Sequence, residues 1–334
     1  NSLGIRLETL SRFWTESLAI MADCLQRPVF PEAEFAREKQ LALQEIATRD
    51  DNLTGAAFRL FQRTLFTRHP YRLSLGGELS SVERLTHQSL VRYFQKNYRP
   101  GGLVLSLVGD VDPDAVLAEV QGLFGDGREP GLLPKAAPPE AAQKAARTAE
   151  LHLNKQQAHV LLGFAGVGVS DKDRFPLELL AAVLSGQGGR LFINIRDQRG
   201  LVYRISAFSL EGLDPGYFAV YGATSPDKVD TLVREIRLEL KRVRTEAVSR
   251  AELTRAKRYL VGHHDLSLQQ RATLASTVAF NELYGLGYAS HLAYAGAIQK
   301  VTARDLQRVA RRYLVPRREV LAVVRPDPNA ADVA

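Results

Sequence analysis

Apolar and polar positions change period several times along the 334 residues, and each change predicts an element. Residues 3–10 (LGIRLETL) alternate as a strand does, and Ser11 is placed to cap a helix over 12–25. Pro31 suits the first turn of a helix over 31–49, and a further helix is predicted over 54–66. Pro and Gly within 68–77 predict a loop. A helix over 86–97 then leads to a buried strand over 103–108, and Pro113 opens a helix that runs to Phe124. Later, 149–153 and 158–164 read as strands and 175–184 as a helix. The SGQGGR turn precedes a short helix, Gly189 to Gln198, which Gly200 ends. Strands over 203–210 and 217–222 flank a turn on Asp214, Pro215 and Gly216. Long helices follow over 227–245 and 249–266, the second opened by a Ser249–Glu252 capping box worth about 1 kcal/mol.

Two features divide the chain. Pro130, Pro134, Pro138 and Pro139 fall among Gly and Ala, which predicts a linker over 128–147. Residues 82–108 are echoed by 298–324: Leu90 matches Leu306, Val104-Leu105 matches Val320-Leu321, and Tyr98 matches Tyr313 after a one-residue slip. Each copy reads helix, Tyr, Pro-containing turn, strand. The reading is two related domains, 1–127 and 148–334.

Composition changes this picture little. Apolar content of 45% and charged content of 24% are those of a globular chain. Net charge is +7, but Arg242, Arg244, Arg250, Arg255, Lys257 and Arg258 are interleaved with Glu246 and Glu252, as on a solvated helix face. No recognition motif accompanies the charge, so no nucleic-acid partner is expected. No run of about 18 apolar residues predicts a membrane span. Cys24 is the only cysteine, which excludes an intrachain disulfide, and its apolar helical setting predicts packing. One cysteine leaves bacterial cytoplasm and periplasm both open. The chain opens on Asn1 with no signal-like stretch, which reads as a start within a domain.

Candidate chemistry sits at two places. Arg196 and Tyr203 frame RDQRGLVY at the end of a helix and the start of a strand. Both donate hydrogen bonds, so together they suit a carbonyl oxygen that gains negative charge. The plain alternative is an Arg196 surface ion pair and a Tyr203 in the core. Glu38 and Glu45, seven apart on the helix after Pro31, share one face. One could ligate a metal while the other supports the shell around it, or both are solvated.

A catalytic zinc needs three protein ligands and an open position. His69, His87, His152, His159, His263, His264 and His291 form no His-x-x-Glu-His or His-Glu-x-x-His. No P-loop or Gly-x-Ser-x-Gly elbow occurs, and GQGGR follows a helix where a dinucleotide loop needs a strand.

In order, the E-x6-E helix (Glu38, Glu45), His69-Pro70-Tyr71, LTHQSLVRYFQKNYRP, VGDVDP (Val108 to Pro113) and R-x6-Y (Arg196, Tyr203) resemble the pitrilysin–insulinase family of zinc metallopeptidases, over nearly the whole chain. The resemblance implies α+β domains, each a mostly antiparallel or mixed sheet with helices packed on one face. Two such domains would make a half, and two halves would close around a peptide chamber. It implies Glu45 as the third zinc ligand beside two histidines, Glu38 as the glutamate behind it, and Arg196 and Tyr203 as the pair holding the substrate carbonyl. Peptide is the implied substrate, added as an extra strand to a sheet edge, and a second homologous half is the implied partner. The family's His-x-x-Glu-His lies further upstream of the zinc glutamate than the 44 residues present here. The chain is therefore expected to be a truncated half that is inactive and without tight zinc by itself. The rival expectation is a non-catalytic partner that binds peptide or builds an assembly.

Overall fold

The computed structural model describes residues 2–97, 102–125 and 137–327, which divide into two compact units. The first unit takes Asn1–Gln44, Glu78–Ala136 and Asp265–His291; the second takes Glu45–Gly77, Ala137–His264 and Leu292–Ala334. In chain order the elements are α1 (Trp14–Gln26), α2 (Glu32–Thr48), α3 (Leu53–Leu65), α4 (Leu79–Glu83), α5 (His87–Asn97), α6 (Pro113–Phe124), β1 (Arg147–Leu153), β2 (Ala158–Ala165) and α7 (Arg174–Leu184). There follow β3 (Arg204–Leu210), β4 (Tyr217–Thr224), α8 (Val229–Thr245), α9 (Arg250–Leu268), α10 (Arg271–Leu283), α11 (Tyr294–Lys300), α12 (Ala303–Tyr313) and β5 (Val320–Pro326).

The second unit is built on one five-stranded sheet in the order β1-β5-β2-β4-β3. β1 runs parallel to β5, and the other neighbours are antiparallel. The sheet is covered on both faces. Val160, Leu162 and Phe164 of β2 point into a core shared with α7, α8 and α12, while Leu161 faces Phe61 of α3. Burial on both sides explains why β2 reads as a continuous apolar run and not as an alternation. Fully burying one such side chain contributes roughly 1.5–3 kcal/mol. α3 adds a covered face to the expectation of helices on one side only. Thr54 Oγ1 and Tyr221 OH lie 3.0 Å apart, Gln62 Nε2 donates to Tyr217 OH, and Arg147 Nη1 donates to the carbonyls of Thr64 and Leu65 that end the helix.

The first unit shows no strand among its described residues. The strands expected over 3–10 and 103–108 are not formed: both segments lack a ladder, the first exposed and most of the second half-buried. A strand needs a neighbour for its N–H and C=O groups, and the described residues of this unit offer none. The echo is accordingly uneven. Its second copy gives α12 and β5, its first gives α5 and an unpaired run, and Tyr98 lies outside the described residues.

Two local expectations are corrected. Ser11 caps nothing; it opens a single 3-10 turn, Ser11–Phe13, that leads into α1. Cys24 is exposed, because α1 buries Leu18 and Ala22, and two residues past Ala22 is about 200° around the helix. In the linker, Pro130 and Pro134 lie outside the described residues, while Glu140 is docked: its carboxylate accepts Thr67 Oγ1 and the N–H groups of Arg68 and His69. Partial burial pushes that carboxylate up, but the hydrogen bonds from Thr67, His69 and Arg68 win and bring it to about 2.

Candidate functional site

The connection from α7 to β3 carries both proposed donors, and its shape follows from its glycines. Gly186 has φ 76°, and at Gly189 a Cβ would meet the Ser185 carbonyl oxygen at 2.1 Å, so SGQGGR folds as a turn closed to side chains. A helical stretch follows that is wound as a π turn over Phe192–Asp197. Gly200, at φ 57°, ends it as expected, with Gly200 N bonding Arg196 O and Leu201 N bonding Ile195 O. π turns open the helical ladder and recur at functional sites.

Four side-chain contacts fix this turn to its surroundings. Asn194 Nδ2 donates to Glu239 Oε1 at 2.9 Å, Arg199 Nη1 to Glu235 Oε1 at 3.1 Å, and Thr224 Oγ1 to the Leu201 carbonyl. Arg190 and Glu252 form a two-point ion pair. Glu235 and Glu239 are buried, on the face of α8 that also carries Leu232, Ile236 and Leu240. Sequence reasoning missed these anchors. The available signal was two carboxylates, four apart, inside an apolar stripe.

On this frame the two donors are presented to solvent. Arg196 is exposed, its guanidinium 4.8 Å from the centre of its own Phe192 ring. Tyr203 is 78% exposed, one residue before β3, held by its backbone N–H to Ala223 O. Neither the expected alternative of an Arg196 surface ion pair nor that of a core tyrosine is formed among the described residues. The outer edge of β3 is closed at mid-strand, where Ser185 Oγ donates to Ala207 O and accepts from Ala207 N.

Glu38 and Glu45 both lie exposed on α2. Glu38 has an Arg37 nitrogen 3.5 Å away with both side chains mostly solvated, a contact worth little. No hydrogen bond or ion pair joins Glu45 to Arg196 or Tyr203 among the described residues. Nor does any group of three His, Cys, Asp or Glu side chains among them suit a metal ion. Glu45 alone is one carboxylate of a three-ligand set, so the described residues by themselves do not fit a zinc centre.

Other polar clusters in the second unit are structural. His69 is buried, with Nε2 3.1 Å from Asp214 Oδ2 and Nδ1 accepting Tyr71 N–H. Burial pushes Glu178 and Glu211 up, and Tyr294 OH donates to Glu178 Oε1 at 2.6 Å while its ring stacks on His264. No helix among the described residues is long and apolar enough to cross a membrane.

Known proteins share this sequence pattern and fold. Residues 84–260 match the family model described as the peptidase M16 inactive domain. An uncharacterized zinc protease of Rickettsia felis is 30% identical over 256 residues, covering 75% of this chain and 60% of that protein. One of Streptomyces coelicolor is 30% identical over 318 residues, covering 93% and 69%. A protease structure from Helicobacter pylori superposes with a TM-score of 0.87 over 95% of this chain and 78% of that one, at 23% identity, which shows the shared fold. The chain thus spans about three fifths of the length of the first relative and about two thirds of the second. The chain belongs to the M16 peptidase family, the zinc metallopeptidases of pitrilysin–insulinase type.

Proposed function

We propose that this chain is half of a zinc metalloendopeptidase chamber whose Arg196 and Tyr203 grip the carbonyl oxygen of a peptide. The observation that carries the reading is the presentation of two uncommitted donors, seven residues apart, on a turn braced by buried carboxylates. A guanidinium and a phenol donate more strongly as a carbonyl oxygen gains charge, so they favour the tetrahedral state over the substrate. Their frame is rigid, so little reorganisation accompanies the step. Because Ser185 occupies the middle of the β3 edge, the peptide is gripped at its carbonyl and not paired along β3.

The relatives named zinc proteases support zinc in the complete protein. There the ion would polarise the scissile carbonyl and acidify a water. Glu45 would give one carboxylate ligand and Glu38 would sit behind it; the remaining ligands and the general base are not among the residues here. The division into related domains 1–127 and 148–334 belongs to the same reading, as does a second homologous half as partner. This chain alone is expected to cleave nothing and to hold no tight zinc.

The test is Tyr203→Phe in the full-length protein with its partner half, assayed on an unstructured peptide. A loss on the order of a hundred- to a thousand-fold in kcat is expected, and a rate within twofold of the unaltered protein rejects the role. A second reading is favoured by one observation, that the matched family model is described as the inactive domain. In that case the chain is a non-catalytic partner using the same surface to bind peptide. It predicts that the full-length protein with its partner cleaves with Tyr203→Phe unchanged, or that it binds peptide without cleavage.

A further inference from the structure

Beside the turn that bears Arg196 lies a polar cleft of about 430 Å³, walled by Gly188, Ile193 and Asn194 and by residues of α8 and α9. Three guanidiniums (Arg190, Arg242, Arg255) and three carboxylates (Glu239, Glu246, Glu252) line it. Arg190 and Glu252 satisfy one another. Glu246 is exposed and its side chain makes no hydrogen bond or ion pair among the described residues, and two of the others do not find complete partners. The Glu239 side chain is only 4% exposed, and its Oε1 accepts from both Asn194 Nδ2 and Arg242 Nη1, at 2.9 and 2.6 Å. Its Oε2 is buried with no donor among the described residues. A buried carboxylate oxygen without a donor is costly, and in native structures such an atom is answered by a water, an ion or a ligand.

The second is Arg255. It is exposed, and its guanidinium makes no hydrogen bond or ion pair among the described residues. It lies against Gly188, where a Cβ would come within 3.0 Å of its Nε and 3.3 Å of its Cζ. Glycine at that position leaves the room in which this side chain rests at the mouth of the cleft.

The charges of the lining cancel. A simple cation or anion would meet as much repulsion as attraction. A small molecule with a donor at one end and a carboxylate at the other finds a complement at both. We propose that this cleft binds a small zwitterion of amino-acid or dipeptide size, its ammonium held by the Glu239 and Glu246 carboxylates and its carboxylate by Arg255. The cleft volume is within the range of small-molecule sites. Ile193 and Asn194 belong to the π turn, so an occupant would brace the segment that presents Arg196. The site stands whether or not Arg196 contacts a substrate.

The probe is glycylglycine, titrated into the chain and followed by amide NMR. Saturable shifts are expected at Gly188 to Asn194 and at Glu239, with a roughly millimolar Kd for so few atoms. N-acetylglycylglycine, which lacks the ammonium, and glycylglycinamide, which lacks the carboxylate, should each bind at least tenfold more weakly. So should glycylglycine to Glu239→Gln and to Arg255→Ala; the second removes an exposed, unpaired side chain and leaves the fold in place. Gly188→Ala should weaken binding too, by displacing Arg255. The absence of a saturable shift up to about 10 mM, tenfold above that Kd, overturns the proposal, and so does equal binding of the capped probes or unchanged binding to Arg255→Ala. In those cases the cleft holds water alone.

Discussion

Arg190 and Glu252 meet at two points, Nε to Oε1 at 2.6 Å and Nη2 to Oε2 at 3.0 Å, and so join the start of the Arg196-bearing helix to the first turn of α9. Glu252 also accepts Ser249 N–H, closing the capping box expected from the sequence. The Arg190 hydrogen bonds, with those of Ser249, overcome burial and hold the Glu252 carboxyl at about 2.

Arg190→Lys keeps the charge but loses the fork, and lysine cannot satisfy both oxygens in this geometry. A loss of about 1–2 kcal/mol is expected, read as a lower urea midpoint. With the Glu252 pKa lowered from 4.5, the pair's contribution is complete above about pH 4.5 and is lost as pH falls through about 2. The gap between Arg190→Lys and the unaltered chain should therefore narrow on acidification across that window. A gap that stays constant with pH would exclude the pair as its source.

Asp173 is a fully buried carboxylate at the start of α7, answered by three groups of α12: Arg308 at 2.8 Å, Arg312 at 3.2 Å and the Tyr313 hydroxyl at 2.9 Å. Burial raises its pKa, but the hydrogen bonds from Arg308 and Tyr313 and the two cations prevail, so it stays below its ordinary value. Burial and Asp173 together push the Tyr313 phenol up to about 12. Asp173→Asn removes the anion shared by Arg308 and Arg312, whose own side chains are half exposed, and a destabilisation of about 1–3 kcal/mol is expected from the charged hydrogen bonds the buried carboxylate loses. Calorimetry on the chain measures it; a change under about 1 kcal/mol would show that solvent takes over the role.

His159 is buried under α3, its Nδ1 2.8 Å from Tyr221 OH. Burial lowers its pKa below 6.5, so the fold favours the neutral ring. Between the folded value and 6.5 the unfolded chain binds the extra proton, so this group favours unfolding as pH falls through that window. The Cε1 proton of His159 should titrate below pH 6.5 in NMR. A midpoint at or above 6.5 would contradict the desolvation argument.

Gly163 sets how closely α3 approaches the sheet. A Cβ there would lie 2.6 Å from both Phe218 O and Phe61 Cζ. Gly163→Ala must push Phe61 off β2, and overpacking of this kind costs about 1–3 kcal/mol. Urea titration of Gly163→Ala measures it. Partial recovery in Gly163→Ala with Phe61→Leu would assign the ring its share of the clash, the contact with Phe218 O remaining.

Much of the second unit was legible because its signals are local. β2 reads as a run buried on both faces, Gly200 reads as a helix stop, and Ser249 with Glu252 reads as a cap. The misses share one cause, a partner distant in sequence. The apolar run over 103–108 carries strand composition, but composition does not say whether a neighbour is present to pair with it. The apolar setting of Cys24 hid which side of α1 it occupies. Glu235 and Glu239 look like solvated charges until Arg199 and Asn194 are brought to them. The π turn depends on how 192–197 packs, and single-residue propensities are blind to that. For the candidate site, the positions of Arg196 and Tyr203 at a helix end and a strand start could be read from spacing, whereas the bracing beneath them could not.

β5 lies between β1 and β2, yet it is made about 155 residues after β2 ends. During synthesis β2 can pair with β4 on one side, while its other edge and the whole of β1 wait for a strand still inside the ribosome. Val160 and Leu162 are then uncovered along an open ladder for many seconds at ordinary elongation rates. Closure of this sheet is a late, nearly all-or-none event, and the nascent chain is most exposed to misassociation just before its final strand emerges.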